Sequence, residues 1–146
     1  MRVPVSSRSA AGAALVACGL AVLAGGCGPQ RPLVPVQGRV LLDGEPLAFG
    51  SVSFQSESGQ PATARIEPDG SFTLAVIGEG PGAVPRPNRV RVTCYEGQRQ
   101  SAGDRDREIV LGQLLIPDRY TAYETSGLVI DVHPGMDLPV VLQLTR

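Results

Sequence analysis

The chain has 146 residues, room for one domain, and its 18 Gly and 13 Pro with no Trp argue against long helices. All 13 basic residues are Arg; with Arg2 and Arg8 set apart in an N-terminal leader, the rest carries 11 Arg against 14 Asp+Glu, a net −3. A weakly acidic domain has no electrostatic reason to bind nucleic acid or an anionic membrane surface.

The leader comes first. Arg2 and Arg8 precede residues 10–24, AAGAALVACGLAVLA, which are apolar and uncharged. This is the charged start and short apolar run of an export signal, expected as a signal helix over residues 1–26. The run is shorter than the roughly 20 residues that a membrane-spanning helix needs. Leu23-Ala24-Gly25-Gly26-Cys27 follows. It resembles the lipobox of bacterial lipoproteins, where small residues let a peptidase reach the backbone beside a diacylated Cys. Ala24 stands where Leu is usual. Leu15-Val16-Ala17-Cys18 offers a second candidate with a shorter apolar run, so Cys27 is the expected lipidation site and Cys18 the alternative. Gly28, in place of Asp, follows Cys27. By resemblance to lipoprotein sorting in double-membrane bacteria, this favours the outer membrane. Residues 27–35 read as the lipidated Cys and a Pro-rich tether, with Pro29, Pro32 and Pro35.

From Val36 to the end the dominant period is two, which means strands with one buried face. The apolar positions are Val40 and Leu42; Val52 and Phe54; Ala64 and Ile66; Phe72, Leu74 and Val76; Val90, Val92 and Cys94; Leu114 and Ile116; Leu128, Ile130 and Val132; and Val140, Leu142 and Leu144. Asp43-Gly44 and Asp69-Gly70 each lie between alternating runs and predict tight hairpin turns. His133-Pro134-Gly135 predicts another turn. Residues 78–88 and the charged stretch 97–108 read as exposed loops. The alternation of Cys94 with Val90 and Val92 places its thiol in the core. Seven or eight short strands with such turns predict an all-β, two-sheet sandwich over residues 36–146.

The run Val36-x-Gly38-x-Val40-x-Leu42-Asp43-Gly44-x-Pro46-Leu47, then Gly50-x-Val52-x-Phe54 and Asp69-Gly70-x-Phe72-x-Leu74, resembles the transthyretin-like, carboxypeptidase regulatory-like domain. The stretch IPDRYTAYETSGLVIDVHPG, from Ile116 to Gly135, is similar to the end of small lipoproteins of planctomycete-type bacteria. The resemblance covers nearly all of the chain after the leader. It implies an immunoglobulin-like sandwich of about seven strands and no established activity. Where such domains often carry Pro-Gly-x-Tyr, this chain has Pro85-Arg86-Pro87-Asn88, which puts the packing of that corner in question. The transthyretin-related hydrolases use His and Arg side chains and a Tyr-Arg-Gly-Ser tail. This chain ends Leu144-Thr145-Arg146 and has one His, so that activity does not transfer.

Candidate chemistry is sparse. His133 has no nucleophile at a recognisable spacing, and Ser126 has no visible partner. Asp104, Asp106 and Glu108 could gather a hard cation, but Arg105 and Arg107 interleave them. Gly78, Gly80 and Gly82 precede no helix and make no phosphate loop. Tyr120 and Tyr123 could offer a stacking platform for a ligand; packing over the end of the sandwich is the alternative. The expectation is a non-enzymatic, membrane-anchored envelope lipoprotein with a structural or interaction role. No catalytic, cofactor or metal residue is assigned, the partners are the membrane through its anchor and an envelope protein or glycan, and nucleic acid is not expected. The second reading is a module binding extracellular glycan or peptide.

Overall fold

The computed structural model describes residues 32–98 and 112–146. The expected signal helix, Cys18, Cys27 and the Asp104–Glu108 run lie outside the described residues. Within them the chain is all-β, arranged as two sheets, with a single 3-10 turn at Asp118–Thr121 as its helical element.

The first sheet is built around β1 (Gln37–Leu42). On one side β10 (Val140–Leu144) runs parallel to it, in register from Gly38↔Val140 to Leu42↔Leu144. On the other, β2 (Glu45–Pro46) and β5 (Ser71–Thr73) pair antiparallel with its two halves. The second sheet is antiparallel throughout, in the order β7 (Gly80–Pro81), β6 (Ala75–Val76), β4 (Ala62–Arg65), β3 (Ser51–Ser56), β8 (Pro87–Thr93) and β9 (Leu128–Asp131). Among the described residues ten β elements thus stand where about seven strands were expected, and β2, β6 and β7 are only two residues long.

The alternating faces are where the period places them. Val40 and Leu42 of β1 and Leu142 and Leu144 of β10 are buried, as are Val52, Phe54, Val90 and Val92 on the other sheet. Cys94 is 1% exposed, continuing the inner face of β8. Phe54 and Phe72 join the two sheets with ring centroids 6.2 Å apart and planes tilted by 54°. A buried side chain of this size contributes roughly 1.5–3 kcal/mol relative to an exposed one. Gly38 makes the close approach possible: a Cβ there would overlap the Phe72 ring and lie 2.5 Å from the Val140 carbonyl oxygen.

The turns divide. Asp43 and Gly44 both have positive φ, 51° and 85°, and close the β1–β2 hairpin as a two-residue turn whose twist matches its strands. Asp69-Gly70 closes no such hairpin. Gly70 N–H donates to Glu67 O (2.8 Å) and Glu67 N–H to Ser71 O (2.8 Å), so Pro68 and Asp69 form the corner. The strands on either side belong to different sheets, β4 to the second and β5 to the first. The run from Phe72 to Val76 is divided likewise. Phe72 lies in β5 and Val76 in β6, and the chain changes sheets at the fully buried Leu74. Side-chain alternation continues through the crossing, so period alone cannot reveal it.

Two further expectations are corrected. Residues 78–88 are no exposed loop: β7 pairs with β6, while Ala83, Val84 and Asn88 are buried. Val34, ahead of the first expected strand, exchanges two backbone hydrogen bonds of 2.9 Å with Ala83. The Pro85–Pro87 corner is held by Asn88, 1% exposed, whose amide donates to Val84 O at 3.0 Å and Arg86 O at 2.6 Å. Leu114 and Ile116 form no strand of their own. Leu115 N–H donates to Cys94 O and Glu96 N–H to Gln113 O, each at 2.9 Å, and Leu114 makes an isolated bridge with Tyr95. Pro117, which has no N–H, then ends the pairing and starts the 3-10 turn.

Candidate functional site

The two tyrosines singled out by sequence serve different places. Tyr120 sits in the 3-10 turn and is 6% exposed. Its hydroxyl accepts the Thr145 N–H at 3.1 Å and an Arg119 guanidinium N–H at 3.1 Å, and the Arg119 Cζ lies 4.7 Å from its ring centroid. The hydrogen bonds with Thr145, and secondarily Arg119, hold this hydroxyl below the ordinary tyrosine pKa against the opposing effect of burial. Arg119 also donates to the Thr145 carbonyl oxygen. Tyr120 therefore ties the turn to the end of β10, with its ring packed over the sandwich.

Tyr123 belongs to the outer face of the second sheet. Its hydroxyl lies 2.6 Å from the Ser53 Oγ of β3, and the Arg91 Cζ of β8 lies 5.0 Å from its ring centroid. Ser53 and Arg91 are register partners, so one ring spans the β3–β8 pair from outside. Ser53 is 6% exposed even though it faces away from the core. The next row on that face is Gln55, Arg89 and Val129, again in register across β3, β8 and β9.

Two depressions adjoin on this face and share Arg89 and Val129. One, of about 420 Å³, is lined by Gln55, Ser56, Glu57, Arg86 and Pro87 besides these two. The other, of about 320 Å³, adds Tyr123, Glu124 and Leu128. Both lie in the size range of small-ligand sites but are open, with mixed polar and apolar walls. Among the described residues no carboxylate lies in ion-pair range of Arg86, Arg89 or Arg91. By contrast, Arg39 meets Asp69 at 3.8 Å and Arg146 meets Asp43 at 3.2 Å. In the sequence, Arg89 and Arg91 stand out only by alternating with Val90, Val92 and Cys94. Their alignment with Gln55, Ser53 and Val129 depends on pairings distant in sequence.

The remaining candidates are placed as follows. The Ser126 hydroxyl is buried, donates to Val90 O at 2.5 Å and accepts the Leu128 N–H at 3.2 Å, which fastens the 122–126 segment to β8. His133 is exposed in its predicted turn, with Nδ1 3.1 Å from the Pro134 carbonyl oxygen. Gly82 makes room for Val34, whose carbonyl oxygen would lie 2.5 Å from a Cβ there. Among the described residues no group of three or more His, Cys, Asp or Glu side chains could hold a metal ion.

Compared with known proteins, the chain matches no family model, and neither a curated protein nor a solved structure is similar enough to count as a match.

Proposed function

We propose that the chain is a non-enzymatic lipoprotein of the bacterial cell envelope, held to a membrane by acyl chains on Cys27. Its sandwich is of the immunoglobulin-like, transthyretin-like kind and plays a structural or interaction role. The observation that carries this reading is the leader: two arginines, an uncharged apolar run and Leu23-Ala24-Gly25-Gly26-Cys27. Two or more acyl chains hold a protein stably at about 0.8 kcal/mol per buried CH₂. The residue after Cys27 is Gly28, which favours the outer membrane. Val34 is already seated on Ala83, and a chain of this length spans at most about 25 Å from Cys27 to Val34. The sandwich therefore stays close to the bilayer.

Labelled palmitate tests the anchor. It enters the wild-type protein, and Cys27→Ala abolishes the label. Label that persists in that variant moves the anchor to Cys18 or refutes the assignment.

A second reading, a module for an extracellular glycan or peptide, is favoured by one feature. The two adjoining depressions around Arg89 combine guanidinium donors, amide and carboxylate acceptors and a small apolar floor.

A further inference from the structure

We propose that the end of the sandwich at which the tether enters is a lipid-contact surface, with Ile77 and Leu138 seated on a phospholipid bilayer without net charge. This rests on the Cys27 anchor and adds to it an orientation and a second point of attachment. Register places the turns. Ala62 of β4 pairs with Val76 of β6, and Ser56 of β3 with Asn88 of β8, so the turns at 57–61 and 77–79 and the Pro85–Pro87 corner share one end of the second sheet. β1 and β10 both begin at that end, because Leu74 N–H, just before β6, donates to Val36 O, and Gly38 pairs with Val140. Val132 N–H donates to Arg86 O, which brings the 132–139 connection there as well. Val34, bonded to Ala83, is where the chain from Cys27 enters this end. That tether reaches at most about 25 Å. β8, seven residues, is by itself about 20 Å long. The far end therefore meets the bilayer only if the tether is drawn out straight along the sandwich, whereas the near end meets it without any such extension.

Exposure picks out the same end. Among the described residues the exposed large apolar side chains are Ile77, Leu115, Val129, Leu138 and Val141. Val129 and Val141 lie on strands, and Leu115 lies at the far end, bonded to Cys94. Ile77 and Leu138 lie in the connections at the near end, and Ile77, 76% exposed, is the most exposed of the five. Glu79 N–H donates to Val76 O at 3.1 Å, so Ile77 and Gly78, with φ 79°, are the centre of a tight turn. Such positions normally carry Gly, Pro or a small polar residue. Here the turn holds an apolar side chain out beyond the sandwich, and no atom lies within 4 Å of a Cβ built on Gly78. Glu57, Glu79, Asp131 and Asp137 outnumber Arg86 and Arg89 at this end, so an anionic surface repels it and a bilayer without net charge does not. A contact of two side chains is weak for a free domain. The acyl anchor makes it intramolecular, and the high effective concentration lets a weak contact persist.

Photocrosslinking tests this in the full chain, purified with its lipid and reconstituted into phosphatidylcholine vesicles that carry a photoreactive group near the headgroup. After flotation and illumination, mass spectrometry locates the peptides that bear lipid adducts. The proposal expects adducts in residues 77–79 and 136–139 and none in the far-end turns at 43–44 and 67–70. Ile77→Ser should lower the yield in both near-end turns several-fold while the protein still floats with the vesicles. Leu115→Ser, at the far end, should change neither. Replacing part of the phosphatidylcholine with phosphatidylglycerol should lower the yield. Adducts at the far end or on the outer face of the second sheet overturn the proposal. So does an unchanged yield in Ile77→Ser, an equal loss in Leu115→Ser, or a higher yield with phosphatidylglycerol. A protein that floats but bears no adduct in either near-end turn overturns the proposal and leaves the anchor standing. A protein that does not float refutes the anchor, and this contact with it.

Discussion

The side-chain amide of Asn88 donates to the carbonyl oxygen of Arg86, two residues earlier, at 2.6 Å, and to that of Val84 at 3.0 Å. Pro85 and Pro87 bracket this corner and remove two N–H groups from it, so its carbonyls depend on donors from elsewhere. Asn88 is also the residue that opens the inner face of β8, opposite Ser56 and Ile130. One side chain thus sets both the corner and the start of the strand that carries Arg89 and Arg91. Asn88→Ala leaves the Val84 carbonyl without this donor and should cost about 1–3 kcal/mol. Urea unfolding monitored by circular dichroism reads the change. An unchanged midpoint would show that the corner holds by its prolines alone.

Gly38 is a matter of space. Its missing side chain lets the Phe72 ring and the Val140 carbonyl close on β1 from both sides. Gly38→Ala should cost about 1–3 kcal/mol, because one neighbour is backbone in a parallel pairing and cannot easily move. Gly78→Ala is the comparison: no atom lies within 4 Å of its Cβ position, though its φ of 79° carries backbone strain. Thermal unfolding of the two variants separates overlap from strain.

Cys94 tests the register of β8. Its thiol is 1% exposed in the core with Val90 and Val92. It should resist alkylation in the native protein and react on unfolding. Cys94→Ala should cost about 1 kcal/mol, because the group removed is small. Cys94→Arg should be far worse, since it buries a charge. Rapid alkylation of the native protein would place Cys94 on the outer face, because a one-residue slip exchanges the two faces.

Asp69 gives the fold an acid-sensitive element. Its Oδ1 accepts the Ser71 hydroxyl at 2.6 Å and the Ser71 N–H at 2.9 Å. These bonds, with Arg39 nearby, hold its pKa below the ordinary 3.8. A carboxylate whose pKa is lowered by folding adds stability above its unfolded pKa, and that stability is lost as pH falls through the folded value. The contribution is therefore complete at neutral pH and declines below about pH 4. Asp69→Asn should flatten that acid limb. Urea midpoints at pH 7, 4 and 3 measure it; parallel acid limbs for the two proteins would contradict the assignment.

What could be read in the sequence was local. The alternation Val90-Val92-Cys94 states which side chains face inward, because that choice is made within one strand. Asp43-Gly44 states its own turn, since few residue pairs tolerate two positive φ values. What required partners distant in sequence was hidden. The crossing at Leu74 leaves the period intact. Asn88 reads as the last residue of a loop until Val84 and Arg86 are seen beside it. Tyr120 and Tyr123 look like one platform because they are three residues apart. The chain between them leaves the 3-10 turn at Ala122 in an extended conformation, φ −121° and ψ 145°, and sends them to Thr145 and Ser53 respectively. The row Gln55, Arg89 and Val129 appears only once β3, β8 and β9 are in register.

The most direct test of the proposed anchoring is the mass of the N-terminal peptide of the protein purified from membranes. The account predicts a chain that starts at Cys27, with a diacylglyceryl group on its sulfur. An unmodified peptide that runs unbroken from Gly26 through Cys27 to Gly28 would contradict it.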